Sequence, residues 1–395
     1  MTLLRPFIRH ARQIHTCHRR LAQKPAAVSV AAAAAAALTH GPLGKGIDTF
    51  RSTFGSKPLT APFTGQAETY EQALNEAQGL VVDESAGDSD GKQRMLFDPA
   101  KLVGPDLWEL KGNISKLLGS GHPFLNTMMT HFLCDDGQPV RPLLVLLTAQ
   151  ASTGQVIDTQ RRLAEITHMI HAASLLHDDV LETESGGSLG NKMAILAGDF
   201  LLARASLALA YLRNAECVEL MATCIAHLVE GEFMDLVKKQ PRTDIDYYLD
   251  QTEMKTVSLI AQSCKGSAVL GNASTDDAKH AYEFGRHFGI AYQLVEDVLD
   301  FSAKSSSGTF RAGAPVVFAS ESVPGLLPMI ERRFSQPEDH EKARLYVYQS
   351  GGLKKTLALA ESHCQRAIDA ISQLPPSDAR SALVQLSSNL IRRKN

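Results

Sequence analysis

From about residue 98 onward, apolar residues recur three and four positions apart, the spacing of one helix face. Leu107, Leu110, Ile114, Leu117 and Leu118 carry this period, with Asp98-Pro99 read as the N-cap and first helical position. Longer runs of the same kind cover 143–147, 166–176, 193–212, 218–237, 258–270, 281–299, 353–374 and 379–391. No region offers several alternating strands joined by hairpin turns. The pattern predicts an all-α protein whose helices form one domain over 98–395 around a deep central cavity. Residues 48–97 are mixed, and Asp83–Gly91 reads as a flexible acidic linker.

Two helical runs end in nearly the same five residues. Asp178-Asp179-Val180-Leu181-Glu182 closes one, and Glu296-Asp297-Val298-Leu299-Asp300 closes the other. Two acids, any two residues and a third acid should arise by chance roughly 0.5 times in a chain this acidic. It occurs here at these two places only, with the same Asp-Val-Leu centre. On a helix the first and last carboxylates of each motif lie on one face, one turn apart. Taken alone, either motif could be a solvated acidic turn. Their flanks, 172–176 and 290–295, are core-like, and carboxylates beside a core need partners. Hard oxygen ligands that leave room for substrate phosphates are what Mg²⁺ sites use. A polar loop follows each motif, Gly-rich over 182–190 and Ser-rich over 302–309, where lids and phosphate contacts usually lie.

Composition adds three constraints. An apolar share of 44% supports a sizeable core. Cysteines 17, 134, 217, 224, 264 and 364 show no metal-binding spacing and read as ordinary buried thiols of a reducing compartment. The first 47 residues hold seven basic residues and no acid, with Arg5, Arg9 and Arg12 at helical spacing. That pattern is similar to a mitochondrial transit peptide, although a merely basic tail has the same composition. The apolar run 26–38 is too short for a membrane helix. Without residues 1–47 the chain holds 33 basic and 43 acidic residues, which disfavours nucleic acid as a partner.

The stretches Ser120-Gly121-His122-Pro123, 140–147, Met169–Asp179, Gly190-Asn191-Lys192, Gly198–Ala205, Glu230-Gly231-Glu232-Phe233, Lys255-Thr256, 292–300 and 376–383 form a collinear set. Through them the chain from about Asp98 to its end resembles the trans-polyprenyl diphosphate synthases. The likeness is greatest to the fungal mitochondrial enzymes that make the hexaprenyl, solanesyl or decaprenyl side chain of ubiquinone. The resemblance implies an isoprenoid-synthase-type bundle in which Mg²⁺ bridges the acidic motifs and an allylic diphosphate. The metal ligands it implies are Asp178, Asp179, Glu182, Glu296, Asp297 and Asp300. Isopentenyl diphosphate, held by Arg141 and His171, would add to farnesyl or geranylgeranyl diphosphate, contacted by Lys255 with Thr256 and Gln293 beside the reacting carbons. Asp178, Asp179, Lys255 and Gln293 are thereby the expected catalytic residues. Ala173 and Ser174, one turn below Asp178, would set product length because both are small, a property that close helix packing shares. The resemblance also implies a homodimer or a heteromer with a related subunit, and a location in the mitochondrial matrix or peripheral to the matrix face of the inner membrane.

Ordinary structural roles compete with these. Arg141 has the makings of an ion-paired helix-end residue, His171 of a satisfied core histidine and Lys255 of a solvated lysine. The chain also departs from the family pattern. Gly137-Gln138-Pro139-Val140-Arg141-Pro142 has Gln138 where the family carries a phosphate-binding lysine. The loop between the first motif and Gly190 is short and has no arginine, and Gly308-Thr309 stands where a Gly-Lys is usual. Charge-assisted contacts of this kind bind diphosphates. The alternative reading is therefore a weak or inactive regulatory subunit of a heteromeric synthase. A terpene cyclase fits less well, because cyclases generally replace the second motif with an Asn/Ser/Glu triad.

Overall fold

A computed structural model describes residues 99–119, 139–182, 188–236, 244–302, 312–336 and 338–392. The expected leader, the linker, Gln138 and most of both polar loops lie outside these residues, as do the side chains of Asp179 and Glu182. Among the described residues there is no strand, so the all-α expectation holds.

The elements in order are α1 (Pro99–Leu102), α2 (Gly104–Leu118), α3 (Val140–Thr153), α4 (Asp158–Glu182), α5 (Ser188–Tyr211), α6 (Ala215–Leu236) and α7 (Ile245–Thr252). A π turn (Glu253–Val257) runs directly from α7 into α8 (Ser258–Leu270). Then come α9 (Thr275–Ser302), α10 (Ala314–Ser320), a 3₁₀ turn (Pro324–Leu326), α11 (Leu327–Glu331), α12 (Asp339–Ser350), α13 (Gly352–Ile371) and α14 (Asp378–Arg392).

Three local expectations need correction. The helix expected from Pro99 breaks at Val103, because Pro105 lies in the first turn of α2 and a proline cannot continue a preceding helix. Residues 188–190, read as loop, are the first turn of α5, where the apolar run from Met193 extends back to Ser188. The run expected to reach Leu374 ends at Ile371, and residues 372 and 373 form a turn.

Helix α3 is the centre of the main core. Val140, Pro142 and every residue from Leu143 to Ala149 are buried, so α3 is enclosed on all sides. Helices α4, α8 and α14 pack around it. Buried polar groups cross-link these layers. Gln160 Nε2 donates to Ser267 O at 2.8 Å, and Ser267 Oγ donates to Val145 O at 2.8 Å. Each satisfies a group that would otherwise be costly to bury. Helix α9 runs along α8 and α13. Its approach to α8 requires glycine at 285, where a Cβ would stand 2.8 Å from Ala261 Cα. A second apolar cluster, containing Tyr248, Val257, Ile290, Leu294, Val295, Ala314, Val317 and Ala360, ties α7, the π turn, α9, α10 and α13 together around the second acidic motif.

Candidate active site

Helices α4 and α9 carry the two motifs at their C-terminal ends, and α3 and α8 each touch both. Arg141, in the first turn of α3, marks the junction. Its Nη1 lies 2.8 Å from His171 Nε2 on α4. It also lies within electrostatic reach of Tyr292 and Glu296 on α9. Burial, then Arg141 and His168, hold the His171 imidazole well below its ordinary pKa. The ring is therefore neutral near pH 7, and Nε2 accepts from the guanidinium. Burial pulls Arg141 down as well, with Tyr292 and Glu296 opposing the shift. The Arg141 Nε is buried without a hydrogen-bond partner among the described residues.

The second motif is held by a hydrogen-bonded chain. Asp297 Oδ2 accepts from Tyr248 Oη at 2.6 Å and from the Ala314 backbone N–H at 2.7 Å. Its Oδ1 accepts from Gln293 Nε2 at 3.0 Å, and Gln293 Oε1 accepts from Thr256 Oγ1 at 3.2 Å. Three of the expected residues, Thr256, Gln293 and Asp297, are thus brought together. Tyr248 and the start of α10 complete the group, although no sequence motif marked either. Burial and then the Asp297 charge push the Asp300 carboxyl up to about 6. Asp300 keeps much of its surface in solvent, so the like charge is the part a cation would answer.

Lys255 sits on the π turn and pairs with Glu232 Oε1 of α6 at 2.5 Å. Gly231 makes this possible, since a Cβ there would stand 2.5 Å from Lys255 Cγ. The segment Glu230–Phe233 was thus visible as a motif, but Glu232 as the lysine's partner was not. Ala173 is fully buried on α4, Ser174 is half-buried and bonds its own helix at His171 O (2.8 Å), and Asp178 is half-buried near the helix end.

Do these residues suit Mg²⁺? Among the described residues no three acids, histidines or cysteines converge as a closed metal shell. An open site completed by substrate phosphates needs only one or two carboxylates. Glu296 and Asp300 flank a carboxylate already engaged by protein donors, so three acids crowd the end of α9. The donor set fits a hard divalent cation.

A helical bundle with two acid-tipped helices beside a part-buried Arg–His pair has the isoprenoid-synthase architecture. The sequence profile of the polyprenyl synthetase family matches residues 122–309. A Neurospora crassa protein described as a probable mitochondrial hexaprenyl pyrophosphate synthase is 40% identical over 367 aligned positions, covering 75% of this chain and 82% of its own. The apo structure of an Arabidopsis medium/long-chain length prenyl pyrophosphate synthase superposes with a TM-score of 0.61 at 37% identity, over 75% of this chain and 99% of that one. A Caulobacter crescentus polyprenyl synthase solved with calcium and isoprenyl diphosphate gives 0.67 at 27% identity, over 75% and 97%. The chain belongs to the polyprenyl synthetase family and is a prenyltransferase. It is also short within the match. The Neurospora alignment takes up 75% of 395 residues, about 296, against 367 positions, so about 71 positions have no residue here.

Proposed function

We propose that this prenyltransferase adds isopentenyl diphosphate to farnesyl or geranylgeranyl diphosphate and makes a long all-trans polyprenyl diphosphate for ubiquinone. The observation that carries this reading is Arg141. A buried guanidinium Nε with no partner among the described residues is costly unless an anion completes it, and this one lies where α3, α4 and α9 meet. His171, neutral and accepting from Nη1, fixes the guanidinium plane so that its other donors face a diphosphate.

Lys255 is the contact for the allylic diphosphate. Thr256 and Gln293, oriented through Asp297, stand beside the reacting carbons. Bound Mg²⁺, held through Asp178, Asp179, Glu182, Glu296, Asp297 and Asp300, supplies positive charge where the leaving diphosphate gathers negative charge. The allylic C–O bond breaks, the isopentenyl double bond forms the new C–C bond, and a proton leaves. The cationic stage needs water kept out, and the buried wall of α4 around Ala173 serves that end. The growing chain runs down α4 past Ser174 and Ala173.

A second copy of this fold covers the apolar face of α5 and α6, where Ile195, Leu196, Leu207, Tyr211, Val229 and Phe233 are exposed. Residues Asn191–Tyr211 are also long and apolar enough to cross a membrane, but pairing accounts for their exposed side equally well. The mitochondrial names among its relatives and the Arg-rich start support action in mitochondria, at the matrix side of the inner membrane. A regulatory subunit is the second reading, favoured by Gln138 and the arginine-free loop.

A Mg²⁺-dependent assay with farnesyl and isopentenyl diphosphates, on the chain alone and mixed with a related subunit, decides between them. Long prenols from the chain alone are the expected result. Product only in the mixture supports the second reading, and a cyclic hydrocarbon defeats both.

A further inference from the structure

We propose that the Glu253–Arg286 ion pair is a positioning clamp that sets the register of the π turn and thereby presents Lys255 and Thr256 to the allylic diphosphate. The inference deepens the proposed function and rests on its assignment of Lys255.

A π turn carries one extra residue, is less stable than the α-helix on either side, and recurs at functional sites where its surroundings hold it. Here α7, the π turn and α8 form one uninterrupted run from Ile245 to Leu270. Glu253 is the first residue of the turn, and both of its carboxylate oxygens are engaged by one arginine. Arg286 Nε donates to Oε1 at 2.8 Å and Nη2 donates to Oε2 at 2.8 Å. Such a fork holds orientation as well as distance, which a lysine would not. The Glu253 bond is also the largest cause raising the Arg286 pKa.

The next residues of the turn reach other neighbours. Lys255 pairs with Glu232 on α6, and Thr256 donates to Gln293 on α9. Glu253 and Lys255 are two positions apart yet face different helices, so a slip of one residue would carry Lys255 away from Glu232 and Gly231. Helix α9 therefore grips this run at three levels, through Arg286 at Glu253, Gln293 at Thr256 and Asp297 at Tyr248. Gln293 and Asp297 belong to the site itself. Arg286 and Glu253 stand apart from it and act through the turn.

The test uses the full chain and the variants Arg286→Ala, Arg286→Lys, Glu253→Gln and the swapped pair Glu253→Arg with Arg286→Glu. Kinetics are measured for each diphosphate separately, and binding of inorganic diphosphate with Mg²⁺ is followed by calorimetry. With the clamp broken, the KM for the allylic diphosphate should rise about tenfold while that for isopentenyl diphosphate changes less than about threefold. Arg286→Lys should fall between wild type and Arg286→Ala, and the swapped pair should recover most of the loss. A lower melting temperature with both KM values unchanged, or a loss confined to kcat, overturns the clamp. If wild type binds diphosphate and Arg286→Ala binds it equally well, the clamp falls and the proposed function stands. If wild type binds no diphosphate, the proposed function falls and the clamp with it.

Discussion

Helices α4 and α9 end in closely similar acidic motifs, but the turns beneath those ends are built from different materials. One, two and three turns below Asp178 stand Ser174, Ile170 and Ile166, with the small Ala172 and Ala173 beside Ser174. Below Glu296 lie Tyr292, Phe288 and Phe284, whose rings follow one another at 6.5 and 5.7 Å along one buried face. Rings spaced four residues apart stack into a continuous wall, whereas small residues leave space or admit a close neighbour. The polar sides differ too. On α4, His171 accepts from an arginine at the base of α3. On α9, Asp297 is held by a tyrosine, an amide and a helix N-terminus. On the α9 side, three donors of the protein thus brace the carboxylate of Asp297.

The largest expected effects are those of the two acids. Asp178→Ala should cut turnover by about 10³-fold, the scale of losing a principal charge-stabilising contact. Asp297→Ala should cut turnover as well and also destabilise by about 3 kcal/mol, since it strips an acceptor from three donors. Chemical denaturation with circular dichroism reads the stability loss, and an unchanged stability in Asp297→Ala would show that the three donors do not brace this carboxylate.

Acid should weaken both sides, since His171 on α4 and His363 facing α9 are each held neutral below their ordinary pKa. His287 Nδ1 and His363 Nδ1, on α9 and α13, share a 3.0 Å hydrogen bond that requires one of them to accept. Burial, then His287 and two arginines, push His363 down to about 4. The unfolded chain, with its histidine near the ordinary 6.5, takes up the proton first as pH falls. The contribution is therefore complete above 6.5 and is lost on the way down to about 4. It amounts to about 2–3 kcal/mol for a buried group with this shift. Denaturation series across that window should show the loss, and His363→Gln should reduce it while His171 keeps the remainder.

Ala173→Phe probes the small-residue face of α4. A ring in that fully buried position should cost about 1–3 kcal/mol by overpacking, and it should shorten the prenol products without changing Mg²⁺ dependence. Chromatography of dephosphorylated products decides the point, and full-length product from a folded, active variant rules out this wall. The smallest effect belongs to Tyr248→Phe, which removes one donor from Asp297 and should cost about 1–2 kcal/mol. A melting temperature equal to wild type would show that Ala314 and Gln293 hold the carboxylate unaided.

Helix positions and both acidic motifs were legible in the chain, because a helix face is set by residues three and four apart and a motif by residues in a row. The break at Val103 follows from Pro105 in the same local way. Helix α12 escaped notice because it buries little more than Asp339, Ala343 and Val347 and leaves the rest in solvent, so its period is faint. The contacts that make a site of these elements were not legible. Arg141 and His171 are 30 positions apart, Arg286 and Glu253 33, and Tyr248 and Asp297 49. No periodicity links residues so distant, and only the packing of α3 and α8 between α4 and α9 brings them within bonding reach. A π turn is equally invisible to the α-helical period, since its extra residue is tolerated only when neighbouring helices hold both sides of it.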